Sequence, residues 1–380
     1  MKKRLINVFL AVIVLATLAP KHALAHGGIS SGCGVLIEQE TGQVLFDKCG
    51  DSPMKIASIT KILTAIIAIE NGYLDDMVEI IRDDIYQVGS SLYMVEGDQM
   101  KLLDLIYGLM LRSGNDAAWA IARHIGNGDV EDFVRLMNEK AYQIGATNST
   151  FQNPSGLDET TFNTSTAKDM ALIQRYAMDN PIFREISSVA SHRTTSHDGK
   201  IFYWNNKHRL VKGMYEPTIS GKTGYTKAAG RTLVTSAARD GVELIAVTLS
   251  GADDWNDHMY LFEYGFNQFK RKMVTQAGEL DFINQEIRDM IGFDRLFVRL
   301  STNVFIREND EVRTHLVLHD NIDYVCDVQS GHVGYLEILV NNQVINQVPV
   351  YTLTDVNLQA DTLFGRVLQW LSGLSVFEWR

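Results

Sequence analysis

The chain has 380 residues, which exceeds the usual size of one domain and predicts two. Its hydrophobic fraction of 46% with only six prolines is typical of a globular protein with a sizeable core. The formal net charge of −11 and the lack of a basic cluster argue against a nucleic-acid partner. Three cysteines are too few for a disulfide-rich scaffold.

Residues 1–25 have the pattern of a signal peptide. Residues 2–4 are basic, residues 5–18 are almost wholly apolar, and Ala23-Leu24-Ala25 supplies the small residues of a cleavage site. The apolar run is short for a permanent transmembrane anchor. We therefore expect an exported protein, peripheral to the outer face of the cytoplasmic membrane, in the periplasm or cell wall space.

A hairpin follows, with strands predicted at 35–38 and 43–46 and a turn at 40–42. Folding the hairpin about its turn sets Cys33 opposite Cys49. Export would permit a disulfide between these two residues. Two free thiols at a frayed hairpin end fit the pattern equally well, so both alternatives stay open.

A block of helices comes next. The first is predicted over residues 58–71, and its middle is apolar nearly all round, which is typical of a buried helix. A second amphipathic pattern breaks at Ser113-Gly114, and another helix begins at Asp116. Further helical patterns cover residues 130–145 and 167–178.

Strands return near residue 201. Three are predicted at 218–223, 231–238 and 244–250, and the short glycine-containing turns between them favour antiparallel pairing. A closing helix is predicted over 260–269, and the acids at Asp253 and Asp254 look like solvated loop residues. The pattern predicts an α+β domain over 26–272, in which strands lie at both ends and a helical block is inserted between them.

The remaining sequence predicts two further parts. Residues 285–358 are rich in short β-patterns, which predicts a small β-sandwich domain. Residues 361–380 place their leucines, one valine and Phe364 on one helical face and polar residues on the other, which suits a helix lying in a membrane surface. A terminal helix packed on the β domain fits the same periodicity.

Ser58 and Lys61 are separated by three positions on a predicted helix, so their side chains share a face. A serine hydroxyl becomes a good nucleophile when a nearby base removes its proton. Lysine can act as that base if desolvation and neighbouring positive charge keep it neutral. Alone, the spacing also fits a helix-capping serine beside a solvated lysine.

Two more motifs follow in order. Ser113-Gly114-Asn115 falls in a break between helices, where a hydroxyl could relay a proton and an amide could position a peptide. Lys222-Thr223-Gly224 lies on a predicted strand, where the first two side chains could hold a carboxylate. Gly224 would let a substrate strand approach closely. The three motifs together predict acyl transfer through a serine ester.

This set resembles the penicillin-binding proteins and serine β-lactamases, and the flanking sequence resembles the low-molecular-mass D-alanyl-D-alanine carboxypeptidases. The similar segments include Thr41-Gly-Gln-Val-Leu45, Ser113-Gly-Asn-Asp-Ala117, Phe151-Gln-Asn-Pro-Ser-Gly-Leu157, Gly221-Lys-Thr-Gly-Tyr-Thr226 and Ala229-Gly-Arg231. The resemblance implies a transpeptidase-like fold. It also implies removal of the terminal D-alanine from peptidoglycan stem pentapeptides, covalent inhibition by β-lactams and no cofactor or metal.

The resemblance also implies residue roles. Ser58 would be the nucleophile, Lys61 its base and Ser113 a proton relay. The backbone N–H groups of Ser58 and Tyr225 would form the oxyanion hole. The other motif residues would bind the substrate, and these are Asn115, Lys222, Thr223, Gly224 and Tyr225.

The sequence departs from the family pattern at two places. Ile56-Ala57-Ser58 replaces the common Pro-Ala-Ser, and residues 253–258 occupy a stretch where many members carry a carboxylate-binding arginine. That stretch resembles the sporulation-associated branch. Two other functions are weighed against this one. A serine β-lactamase would need a water-activating glutamate, which no Glu-x-x-x-Asn after Ser113 supplies, and a non-catalytic wall-binding protein would not need the intact motifs.

Overall fold

The computed structural model describes residues 28–158, 160–280, 295–319 and 331–352. The chain divides into two compact units, and the boundary along the sequence falls between Asn267 and Gln268. The predicted signal peptide and the predicted membrane helix at 361–380 lie outside the described residues.

A five-stranded antiparallel sheet forms the frame of the first unit, in the order β2-β1-β11-β10-β9. Its strands are β1 (Cys33–Glu38), β2 (Val44–Lys48), β9 (Thr218–Thr226), β10 (Gly230–Arg239) and β11 (Val242–Gly251). β1 pairs with β11, which joins the two ends of the unit, with Ile37 opposite Ile245. The predicted arrangement of strands from both ends around a helical block is confirmed.

Eight helices belong to the described part of the first unit. They are α1 (Lys61–Asn71), α2 (Arg82–Ile85), α3 (Leu102–Arg112), α4 (Asn115–Ile125), α5 (Val130–Ile144), α6 (Ala167–Met178), α7 (Pro181–Ser188) and α8 (Asp254–Gln268). The predicted burial of α1 is confirmed, since every residue from Lys61 to Ile69 is buried. This helix lies at the centre of the apolar core.

The described part of the first unit also contains three two-stranded sheets and two short helical turns. The sheets pair β3 (Met54–Lys55) with β6 (Thr164–Ser165), β4 (Met77–Glu79) with β5 (Gln99–Lys101), and β7 (Ser191–Thr195) with β8 (Ile201–Asn205). A 3₁₀ turn at Ala57–Thr60 precedes α1, and a π-helical turn covers Leu210–Met214.

Two predicted helix boundaries are wrong. The α-helix begins at Lys61 and not at Ser58, because Ala57 has a left-handed φ of 49° and the chain enters the helix through the tighter 3₁₀ turn. The closing helix begins at Asp254 and not at Tyr260. Its first turn is polar, with Asp254 and Asp257 at the positive end of the helix dipole, so apolar periodicity missed it.

Cys33 and Cys49 form a disulfide, with sulfurs 2.09 Å apart and Cα atoms 5.2 Å apart. The structure therefore contains the disulfide and not the two free thiols that the sequence also allowed. It joins the start of β1 to the residue after β2, so the open end of the hairpin is closed covalently.

The second unit is all-β in its described residues. Five strands pair in the order β13-β14-β18-β17-β16 and two more pair as β12-β15. They are β12 (Lys270–Thr275), β13 (Gly278–Glu279), β14 (Leu296–Val298), β15 (Thr302–Ile306), β16 (Val312–Leu318), β17 (His332–Val340) and β18 (Gln343–Thr352). Val304 of β15 packs in one cluster with Leu336 and Val350 of the larger sheet. Within the described ranges, no helix is both long and apolar enough to cross a bilayer.

Candidate active site

Ser58 is held against strand β9 by the 3₁₀ turn that carries it. Thr232 on β10 donates a hydrogen bond of 2.9 Å from its hydroxyl to the Ile56 carbonyl. Gly224 passes so close that an added Cβ would lie 2.9 Å from the Ser58 backbone nitrogen. The left-handed Ala57 costs about 1–2 kcal/mol for a non-glycine residue, so these contacts hold a strained turn in place.

Lys61 is fully buried below Ser58. Its Nζ lies 3.0 Å from Ser58 Oγ, 2.8 Å from Asn115 Oδ1 and 2.6 Å from the Ser155 carbonyl oxygen. Burial, and secondarily the charge of Lys207, lowers the pKa of Lys61 to about 7, against an opposing effect of Asp116. A substantial neutral fraction is therefore present near pH 7, and neutral Lys61 can accept a proton from Ser58.

Lys222 is also buried, on β9, and its Nζ lies 3.0 Å from Ser113 Oγ and 2.8 Å from the Thr223 carbonyl. Burial lowers the pKa of Lys222 well below its usual range, and the charges of Lys61 and Lys207 add to the effect. Ser113 follows α3 with a left-handed φ of 64°, which turns its hydroxyl toward this lysine. The three motifs thus meet as two serine–lysine pairs.

Asp116 fixes the loop above the site. Its carboxylate accepts hydrogen bonds from the Leu92 backbone N–H at 2.8 Å and from the Ser91 hydroxyl at 2.6 Å. The Asn115 backbone N–H donates to the Ser90 carbonyl at 2.7 Å. The start of α4 therefore carries one residue that contacts Lys61 and a second that orders the cleft wall.

A tight turn at residues 153–156 supports Lys61 from the other side. The Asn153 side chain accepts a hydrogen bond of 2.7 Å from the Gly156 backbone N–H. Thr64 of α1 donates to the Pro154 carbonyl at 2.7 Å. The Ser155 carbonyl is thereby aimed at the ammonium of Lys61. Sequence reasoning could not assign this role, because a backbone carbonyl has no residue signature.

The cleft consists of two adjoining cavities of about 400 Å³ and 350 Å³. Both are lined by Ser58, Ser90, Lys207 and Tyr225. The larger cavity adds Arg112, Asn115, Gly156 and Leu157, and the smaller adds Ser113, Thr223, Gly224, Arg231 and Trp255. Thr223 thus faces the cleft, whereas Lys222 is buried beneath it beside Ser113.

The expectation that Asp254 is a solvated loop acid is wrong. Its carboxylate is buried and lies 2.9 Å from Arg231 Nε and 2.7 Å from a terminal guanidinium nitrogen. The guanidinium also lies 5.5 Å from the Trp255 ring centroid. An arginine, Arg231 of β10, therefore does line this end of the cleft. Its buried ion-pair partner, Asp254, could not be inferred from the sequence.

The buried histidines lie outside both cavities. His258 Nδ1 and His208 Nε2 lie 2.8 Å and 3.0 Å from the hydroxyl of Thr235 on β10. Burial lowers the pKa of His208 to about 3, so it is neutral at physiological pH. Within the described ranges, no three His, Cys, Asp or Glu side chains are arranged to hold a metal ion.

Comparison with known proteins agrees with this geometry. The family model for Peptidase S11, D-alanyl-D-alanine carboxypeptidase, matches residues 19–253. The chain belongs to this family. It is 28% identical over 380 aligned residues to D-alanyl-D-alanine carboxypeptidase DacF of Bacillus subtilis, covering 93% of this chain and 94% of that protein.

Three other similar proteins each match about two thirds of this chain. DacB2 of Mycobacterium tuberculosis is 34% identical over 239 residues, 61% of this chain and 81% of DacB2. A crystal structure of a D-alanyl-D-alanine carboxypeptidase from Mycobacterium tuberculosis H37Rv has a TM-score of 0.61 at 32% identity. The match covers 65% of this chain and 95% of that one. The crystal structure of the Streptomyces K15 DD-transpeptidase has a TM-score of 0.60 at 30% identity. This match covers 63% of this chain and 98% of that one. These similarities confirm the predicted fold class.

Gly156→Ala should destabilise the first unit more than Gly145→Ala does. Both glycines have left-handed φ values, 78° and 90°, so alanine is strained at either. At Gly156 the new Cβ would also overlap the Ala57 carbonyl, whereas Gly145 faces open space. We expect urea denaturation to show a further loss of about 1–3 kcal/mol in the free energy of unfolding for Gly156→Ala. Equal losses would contradict tight packing of this turn on Ala57.

Proposed function

We propose that this protein is a serine-type D-Ala-D-Ala carboxypeptidase that removes the terminal D-alanine from peptidoglycan stem pentapeptides. The observation that carries the proposal is the buried Lys61 ammonium 3.0 Å from the Ser58 hydroxyl. Its pKa of about 7 suits a general base at physiological pH. Family membership supports the same reaction.

In the acylation step, Ser58 Oγ attacks the carbonyl of the penultimate D-alanine and Lys61 takes the hydroxyl proton. The backbone N–H groups of Ser58 and Tyr225 stabilise the oxyanion. Collapse of the tetrahedral intermediate breaks the C–N bond and forms the serine ester. Ser113, which lies 3.0 Å from Lys222 Nζ, relays the proton that Lys61 took to the leaving amine, so Lys61 is neutral again before the second step.

The second step hydrolyses this ester. Water attacks the ester carbonyl, Lys61 again acts as the base, and the proton returns to Ser58 Oγ as the peptide leaves. A β-lactam would acylate Ser58 in the same way and hold the site as a long-lived adduct. No cofactor takes part in either step.

Substrate binding follows the cleft. The terminal carboxylate meets the Thr223 hydroxyl, with Lys222 beneath it, and a bound carboxylate would favour the charged form of that lysine. The peptide lies along β9, where Gly224 leaves room for its backbone. Asn115, on the opposite wall, donates a hydrogen bond to the acyl-donor part of the peptide.

The two alternatives have less support. A β-lactamase of the usual kind needs a glutamate that activates the deacylating water. In this site the third partner of Lys61 is the Ser155 carbonyl and not a carboxylate. A non-catalytic wall-binding protein would have no need of a buried lysine aimed at a serine hydroxyl.

Ser58→Ala should abolish both labelling by a fluorescent penicillin and release of D-alanine from a peptide ending in D-Ala-D-Ala. Loss of a covalent nucleophile reduces turnover by more than about 10³-fold. Ser188→Ala, a change of an exposed serine outside the cleft, is the control and should behave as the parent. Labelling that persists in Ser58→Ala would contradict the assignment of the nucleophile.

Lys207→Gln should move the acid limb of the kcat/KM profile to higher pH. Lys61 must be neutral to act as a base, so activity rises as pH passes its pKa of about 7. The charge of Lys207 lowers that pKa, so removing it raises the pKa, by about half a unit for a charge acting across a partly hydrated cleft. Lys207→Arg keeps the charge and should keep the profile. An unshifted limb in Lys207→Gln would contradict this coupling.

Export and membrane association complete the proposal. Residues 1–25 would be removed, and the helix at 361–380 would bind the outer surface of the cytoplasmic membrane. The support is the signal-peptide pattern and the amphipathic periodicity. Membership of the sporulation-associated branch stays a prediction.

Secreted protein should begin at His26 when its N-terminus is determined by mass spectrometry. The mature chain should float with lipid vesicles, and the same chain truncated after residue 360 should not, because the apolar helical face is then missing. Failure of both chains to float would instead favour packing of that helix on the β domain, and flotation of both would show that membrane binding does not depend on the helix.

A further inference from the structure

Two cationic side chains that line the cleft lie within electrostatic reach of each other. Arg112 is the last residue of α3 and lines the larger cavity, and Lys207 lines both cavities. The backbone N–H of Lys207 donates a hydrogen bond of 3.0 Å to the Leu111 carbonyl, which fixes Lys207 beside the end of α3. The two positive charges are therefore held close together by the fold.

Neither cation is neutralised by a carboxylate among the residues that the structure describes. Lys207 Nζ donates to the Ser90 hydroxyl at 2.7 Å, which leaves its charge uncompensated. Partial desolvation and the charge of Arg112 lower the pKa of Lys207. Arg231, at the other end of the cleft, is by contrast paired with Asp254. Uncompensated cations in a chain of net charge −11 indicate an anionic ligand.

The position of the pair relative to the reacting bond follows from the cavity walls. Under the proposed function the terminal carboxylate lies at Thr223, which lines only the smaller cavity. Arg112 and Asn115 line only the larger cavity, which shares the nucleophile Ser58 with the smaller one. The larger cavity therefore receives the part of the peptide that precedes the scissile bond.

We propose that Arg112 and Lys207 form a second anion subsite, which binds a side-chain carboxylate of the residue preceding D-Ala-D-Ala. This inference rests on the proposed function and adds a substrate preference to it, for stem peptides that are acidic at this residue. An arginine can bind the carboxylate through two parallel N–H groups, and Lys207 adds a third donor.

The test compares two acetylated peptides, X-D-Ala-D-Ala, in which X is L-2-aminoadipate or its side-chain amide. D-alanine release gives kcat/KM for each peptide, and the ratio of the two values is the readout. We expect the parent to favour the acid by about tenfold, the equivalent of one charge-assisted hydrogen bond. Arg112→Gln should bring the ratio close to one, and Arg112→Lys should retain part of the preference.

Arg209→Gln removes a neighbouring exposed charge that lines neither cavity, and should keep the parent's ratio. Because each ratio compares two substrates of one variant, a partial loss of folded enzyme cancels. A parent ratio near one, or a ratio that survives Arg112→Gln, overturns the subsite while release from both peptides upholds the proposed function. Absence of release from either peptide overturns the proposed function, and the subsite with it.

Discussion

The burial of two lysine ammonium groups is the constraint on which this site depends. An unpaired charge in an apolar interior costs several kcal/mol, so the group either finds acceptors or loses its proton. Lys61 does both: three oxygens surround its Nζ, and burial brings its pKa to about 7. The buried, largely apolar middle of α1 supplies the dry setting. The start of α4 and the turn at residues 153–156 supply two of the oxygens.

Strained backbone marks the same positions. Ala57 and Ser113 both have left-handed φ values, and each adjoins or carries a hydroxyl that faces a buried lysine. Such conformations persist only where surrounding contacts determine them. Here those contacts are the Thr232–Ile56 hydrogen bond, the close approach of Gly224 and the loop tied down by Asp116. The core thereby stabilises hydroxyl positions that an isolated helix would not adopt.

The positively charged side chains of the cleft differ in whether a carboxylate neutralises them. Arg231 is matched by a buried carboxylate, so its guanidinium is held in one orientation at one end of the cleft. Lys207 is instead held by a hydroxyl, and its charge acts on both buried lysines. One side chain thus affects proton affinity at the reacting centre and the potential along the substrate path. This coupling depends on distances within the folded unit.

Local sequence patterns determined much of this protein. The spacing of Ser58 and Lys61, the break at Ser113-Gly114 and the apolar run of α1 depend on neighbours a few residues apart, so they were readable without a structure. The division into strands at both ends and a helical block between them followed from the same periodicities, whereas the pairing of β1 with β11 did not. Contacts between distant segments decided the rest. Three examples join residues far apart in the chain: the contact of the Ser155 carbonyl with Lys61, the ion pair of Arg231 with Asp254, and the proximity of Arg112 to Lys207. No local sequence pattern encodes these distances.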